Sequence, residues 1–294
     1  MAIRARWALA GAAGCVMLLV ATRFAAFHIA IFRNADLATY LGFVDLHRHG
    51  AVQSATGLFV WLCDPQRYVF WAPIVVVIAL LRGRPRVAVG VGAILLGANA
   101  TTEVLKHTLA EPQSAGLVDG GFPVPATLWP SGHSTAAMAA ALGLMIASPG
   151  RLRPVVAALG AAFAVAVGYS LVANGTHFPA DVFGGYLMAA TWALLIVAVL
   201  LAAERRWPSE ANVERMSLRA ALAPQAVVIA AGVALVCLAA LSRPHDAIVY
   251  AQDHKQLVLV AAAIATLSVI LSTGVMLSLR PRPGAATPGT ELTT

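Results

Sequence analysis

Leu128-Trp129-Pro130-Ser131-Gly132-His133-Ser134-Thr135 is a short polar turn set between apolar runs, and a helix begins inside it. Ser131 is a good N-cap, and residues 136–146 that follow are continuous helix formers. A helix start beside a Ser-Gly turn presents unpaired backbone N–H groups to an anion, and His133 stands next to them as a proton donor. This is half of a phosphoryl-transfer site. Two other places can supply the rest: Lys106, at the exit of the preceding apolar run, and His177 with Asp181, two runs further on.

Working outward from that turn, the chain of 294 residues is 60% hydrophobic and only 11% charged, with a mean hydropathy of +0.79. A soluble domain has an apolar share nearer half and a charged share nearer a quarter. The composition therefore predicts an all-α, polytopic membrane bundle. The formal charge of +7 is explained by basic residues crowding one membrane face, so no nucleic-acid partner is expected. Cys15, Cys63 and Cys237 lie far apart and define neither a disulfide framework nor a metal-ligand spacing. Only Lys106 and Lys255 are lysines, which sets Lys106 apart in an arginine-rich chain.

Hydropathy predicts eight spans. The first covers about residues 7–31 and is too long for a signal peptide, with Arg23 and His28 near enough to its end to snorkel. Residues 34–63 mix Leu37, Tyr40, Leu41, Phe43 and Val44 with Asp36, Asp45, His47, Arg48 and His49, which reads as an interfacial amphipathic helix and loop. Asp64-Pro65 starts the second span, to about 81. The third (about 87–109) carries Glu103 and Lys106 near its exit, where a charge needs a cavity or a partner. A loop over 110–130, with three Gly, four Pro and no Lys or Arg, leads into the fourth span (133–147), the fifth (155–172) and the sixth (181–201). The expected organisation is a membrane core over 1–203, a cytoplasmic connector over 204–222, two additional transmembrane helices within 223–279, and a disordered tail over 280–294.

Charge orients these spans. With the N-terminus cytoplasmic, Arg4, Arg6, Arg82, Arg84, Arg86, Arg151, Arg153, Arg205, Arg206, Arg215, Arg219, Arg280 and Arg282 all fall inside. Both termini are then cytoplasmic, and the loops bearing Lys106, Ser131–His133 and His177–Asp181 share the extracytoplasmic face of what is expected to be a bacterial inner membrane.

Phosphate-ester cleavage needs a nucleophile, an acid for the leaving oxygen, and positive potential around the equatorial oxygens. Asp181, four residues after His177 around a helix start, can orient the ring, free its other nitrogen for in-line attack and stabilise the imidazolium. His133 can protonate the departing alkoxide. Lys106, the N–H groups around Gly132 and two helix N-termini supply positive potential. A metal reading is also open, because His107, His133, His177 and Asp181 offer three imidazoles and a carboxylate, although none forms a known zinc spacing.

The pattern resembles the type 2 phosphatidic acid phosphatase superfamily, membrane lipid phosphatases related to vanadium haloperoxidases. That family has three motifs: Lys, six residues, Arg-Pro; then Pro-Ser-Gly-His; then Ser-Arg, five residues, His, three residues, Asp. Lys106 matches the first lysine, Pro130-Ser131-Gly132-His133 the whole second motif, and Ser170, His177 and Asp181 the third at the right spacing, over roughly residues 36–203. The resemblance implies a six-helix core with an extracytoplasmic site, no metal cofactor, a lipid phosphate or polyprenyl (pyro)phosphate substrate, His177 as nucleophile, His133 as general acid and Asp181 as its orienting carboxylate. Lys106, Ser131 and Gly132 would bind phosphate, joined by Gln113, which stands where the family has arginine. The family's second arginine is replaced by Leu171. Loss of one bidentate guanidinium contact costs on the order of 2 kcal/mol in phosphate binding. Replacement would have to come from Arg33, Arg48, Arg67, Arg243, Lys255 or His107. The alternative to an enzyme is a non-catalytic, lipid-binding descendant of the same fold.

Overall fold

The computed structural model describes residues 2–47, 50–111, 128–207, 217–242 and 244–280. They form eleven helices: α1 (Ala2–His28), α2 (Ala30–His47), α3 (Gly50–Cys63), α4 (Pro65–Leu81), α5 (Pro85–Thr108), α6 (Gly132–Ala147), α7 (Arg153–Ala173), α8 (Pro179–Arg206), α9 (Leu218–Ser242), α10 (Pro244–Asp253) and α11 (Lys255–Ser278). The starts follow local chemistry. Asp64 caps α4 by accepting from the Gln66 amide, Ser131 caps α6 by accepting from Ser134, and proline occupies the first turn of α4, α5, α7 and α8, where its missing N–H costs nothing.

The expected all-α membrane bundle is what forms. Six helices (residues 3–28, 85–108, 153–173, 179–206, 218–238 and 255–278) are long and apolar enough to cross a bilayer. Residues 56–63 and 65–81 make a seventh crossing if counted as one span, broken by 71° at Asp64. The remaining predicted span, α6, differs: its sixteen residues rise about 24 Å, short of a hydrocarbon layer of roughly 30 Å. It can be short because protein encloses it, with nearly every side chain from Ser134 to Ala147 buried. Its alanines and Gly143 let neighbours approach closely, and Gly160 of α7 packs directly on Ala141.

The region over 34–63 differs from the expected amphipathic helix and loop. It is two helices, and α2 turns one face inward: Asp36, Thr39 and Phe43 are buried, with Phe43 against Tyr169 of α7. Arg23 reaches across to the residues that follow α5, as described below. Of the two additional spans, α11 lines the core, with Ser268 Oγ donating to Ala161 O (3.0 Å), Tyr169 Oη donating to Ala261 O (2.6 Å) and Ser272 beside Met138. By contrast, α9 exposes Val233, Leu235, Val236 and Leu238. The centre of the expected connector (208–216) and the expected tail beyond 280 lie outside the described residues.

The two ends of the bundle carry different chemistry. Arg4 donates to Ser278 O at the end of α11, Arg86 donates to Trp207 O at the end of α8, and Arg82, Arg84 and Arg4 all neighbour Arg153. The motif residues lie at the opposite end, where α5 stops, α6 starts and α7 passes into α8.

Candidate active site

The third motif is built by the α7–α8 turn. Gly175 takes a positive φ of 67°, which glycine adopts without strain, and turns the chain so that His177 precedes α8. Asp181, at the third position of α8, accepts from the Phe178 amide (2.8 Å) and meets His177 Nδ1 at 3.3 Å. Both side chains are enclosed, His177 being 9% and Asp181 0% exposed. A ring whose proton rests on Nδ1 donates to this carboxylate and leaves the lone pair of Nε2 outward.

The second motif is locked to that turn. Ser131 N donates to Asp181 O at 3.0 Å, so the starts of α6 and α8 are joined by backbone. Gly185 makes the approach possible: a methyl group there would stand 2.7 Å from Ser131 O and 2.8 Å from Thr135 N. Gly184 does the same beneath Trp129 and Pro130. The result brings His133 and His177 together, ring centroids 6.3 Å apart and planes inclined by 62°.

The first motif arrives on α5. Thr102 Oγ1 lies 3.0 Å from Thr135 Oγ1, a buried contact that fixes α5 against α6 one turn before Lys106. Lys106 Nζ is held by Glu103 Oε1 at 2.8 Å, and both atoms rest on Gly132: a methyl there would be 3.0 Å from the amine and 3.2 Å from the carboxylate. Lys106, Ser131, Gly132, His133, His177 and Asp181, predicted from three distant stretches, therefore gather at one place facing away from the arginine end. Gln113, the remaining predicted contact, lies outside the described residues.

The two helix starts at the site differ in the amides they leave uncommitted. In the first turn of α8, Phe178 N is taken by Asp181, Pro179 has no N–H, and Ala180 N donates to Asp36 Oδ1 at 2.9 Å. At α6, the Gly132 and His133 amides have no acceptor among the described residues. The residues considered for a metal do not make a ligand set: among the described residues no three His, Cys, Asp or Glu converge, and His107 is exposed.

Several neighbours of the site were not singled out from sequence. Asp36 and Tyr40, one turn apart on α2, brace the α7–α8 turn from behind: Asp36 caps Ala180, while Tyr40 donates to Gly175 O (3.0 Å) and packs on Phe178. Burial, reinforced by nearby Asp181, pushes the Asp36 carboxyl well above its ordinary range, against the pull of the Ala180 amide. Asp64 also neighbours His133 and pairs with Arg67 at 3.4 Å. Arg23, absent from the arginines considered as replacements, donates to Leu109 O (2.9 Å) and Glu111 (3.0 Å) and lies over the Trp129 ring. The signal for Asp36 was a carboxylate on the apolar stripe of α2; for Gly184-Gly185 it was a pair of small residues one turn into a span.

A bundle of membrane helices that gathers an amine, two imidazoles and a carboxylate at the mouth of a Ser-Gly helix start agrees with the resemblance to PAP2-type phosphatases. In agreement, the model of the PAP2 superfamily matches residues 87–205, and that part of the chain is similar to the superfamily. The match begins later than the motif resemblance and runs from the start of α5 to the end of α8. The undecaprenyl-diphosphatase of Sulfolobus acidocaldarius is 26% identical over 158 residues, covering 52% of this chain and 75% of that protein. No solved structure gives a significant match.

Proposed function

We propose that this protein is a phosphatase or phosphotransferase that cleaves a lipid phosphate or pyrophosphate on the extracytoplasmic side of a bacterial inner membrane, through a phosphohistidine at His177. The observation that carries the reading is the pairing of His177 with Asp181 while His133 stands 6.3 Å away, ring to ring, within reach of the same phosphoryl group. In the first step His177 Nε2 attacks phosphorus in line. The N–P bond forms, the bond to the leaving oxygen breaks, and His133 gives that oxygen its proton. Asp181 holds the Nδ1 proton and balances the charge that grows on the ring. In the second step water, deprotonated by His133, attacks phosphorus and restores His177. Lys106 and the amides of Gly132 and His133 hold the equatorial oxygens, with Ser131 shaping the turn that presents them.

The name of the Sulfolobus acidocaldarius relative favours a polyprenyl pyrophosphate as substrate. Sidedness follows from charge, since the arginine end is the end retained in the cytoplasm, together with both termini. A second reading, a lipid-binding protein without turnover, is favoured by Gln113 and Leu171 at the two positions of the family's arginines. One experiment separates them. Purified protein without added metal is expected to release phosphate from polyprenyl pyrophosphate or phosphatidate, and His177→Ala is expected to abolish release while still binding lipid. Equal inertness of both proteins across the panel would leave the binding reading standing.

A further inference from the structure

We propose that Glu103 is the resident occupant of the phosphate subsite: a carboxylate that incoming phosphate displaces from Lys106, and therefore a residue that sets the affinity of the site for anions. The inference rests on the phosphatase reading for the nature of the substrate, but its geometry stands by itself. Glu103 Oε1 is 2.8 Å from Lys106 Nζ, and both press on Gly132, the first residue of α6. A phosphate oxygen drawn to this amine and to the α6 amides would have to take the ground the carboxylate holds. Two anions on the same amine repel one another, so carboxylate and phosphate compete for it.

The exposure of the two partners gives the exchange its direction. The Lys106 side chain is 17% exposed and Glu103 is 56% exposed, so the amine stays in place while the acid is free to swing into solvent. Ion pairs this open are weak, and a phosphate dianion that meets the amine and the amides together outcompetes a single carboxylate. Glu103 also lies near enough to His133 to act on its charge, along with Lys106, Asp64 and His177. In a chain that has Gln113 and Leu171 instead of arginines, such an internal competitor weighs more, because Lys106 is the cation at Gly132. The site is thus set to let inorganic phosphate go after turnover as well as to admit the substrate.

The test compares wild type, Glu103→Gln and Glu103→Asp by titrating inorganic phosphate onto the purified protein in detergent, with phosphate inhibition and KM read alongside. Glutamine keeps the size of the side chain and removes its charge. It is expected to tighten phosphate binding and lower KM by roughly two- to fivefold, with kcat unchanged or reduced by slower product release. Aspartate keeps the charge and is expected to stay closer to wild type in both quantities. Phosphate affinity unchanged or weakened in Glu103→Gln overturns the proposal, as does a wild type and a Gln variant that both fail to bind phosphate. A protein without turnover whose phosphate affinity still rises on Glu103→Gln would uphold the competitor role and sink the enzymatic reading, so the two failures are distinguishable.

Discussion

At one end of the bundle guanidinium groups meet backbone carbonyls; at the other, cations meet carboxylates. Arg4 and Arg86 cover the carbonyl ends of α11 and α8 at 3.0 and 2.8 Å, where a positive charge complements both the orphan acceptor and the helix dipole. At the motif end Lys106, Arg23 and Arg67 are each matched by an acid, Glu103, Glu111 and Asp64, at 2.8, 3.0 and 3.4 Å. The arginine end therefore keeps a net positive field suited to fixing orientation in a membrane. Among the described residues the motif end pairs its cations with acids, so on the proposed reading an anion would be recognised there by local geometry, through one amine, two amides and two rings.

The difference can be broken from either side. The largest effect is expected from Asp181→Asn, which keeps the shape of the α8 start but removes the charge beside His177 and leaves one amide oxygen for both Phe178 N and His177 Nδ1. Phosphate release should fall by about a hundredfold or more with KM little changed, measured on protein that retains its thermal transition. A medium effect is expected from Gly185→Ala, whose methyl meets backbone atoms of α6 that cannot step aside. Separation of α6 from α8 should destabilise the protein on the order of 2 kcal/mol, read as a lowered thermal midpoint, with activity falling as His133 moves from His177. The smallest effect on chemistry is expected from Arg84→Gln combined with Arg153→Gln. Correctly inserted protein should release phosphate at the wild-type rate, whereas a topology reporter should show a larger share of chains in the reversed orientation. Loss of turnover in correctly inserted double variant would mean that the two ends are not independent.

What could be read from the sequence divides along the same physical line. Helix starts at Asp64 and Ser131, the pairing of His177 with Asp181 four residues on, and the gathering of three polar stretches on one face all depend on spacing within a few residues or on the alternation of spans. The number of crossings was less legible, because hydropathy cannot tell a lipid-facing span from a short apolar helix such as α6 that protein encloses. Least legible were contacts made across the bundle. Asp36 and Ala180 are separated by 144 positions, and nothing near Asp36 announces that it will cap a helix it precedes by so much chain. Arg23 is similar: on an apolar helix its default is to reach toward water, and only the placement of Glu111 and Trp129 beside α1 gives it another partner.

The placement of α11 has a consequence for how the molecule is assembled. Its hydroxyls and Ala261 carbonyl close the seam along α6 and α7, yet residues 207–254, with α9 and α10 among them, separate it from α8. During synthesis the earlier spans would enter the bilayer with that seam open, and Tyr169 without its acceptor. Completion of the wall around α6 therefore waits on the arrival of residues 255–278, so a ribosome that stalls before them leaves a core that is inserted but unfinished.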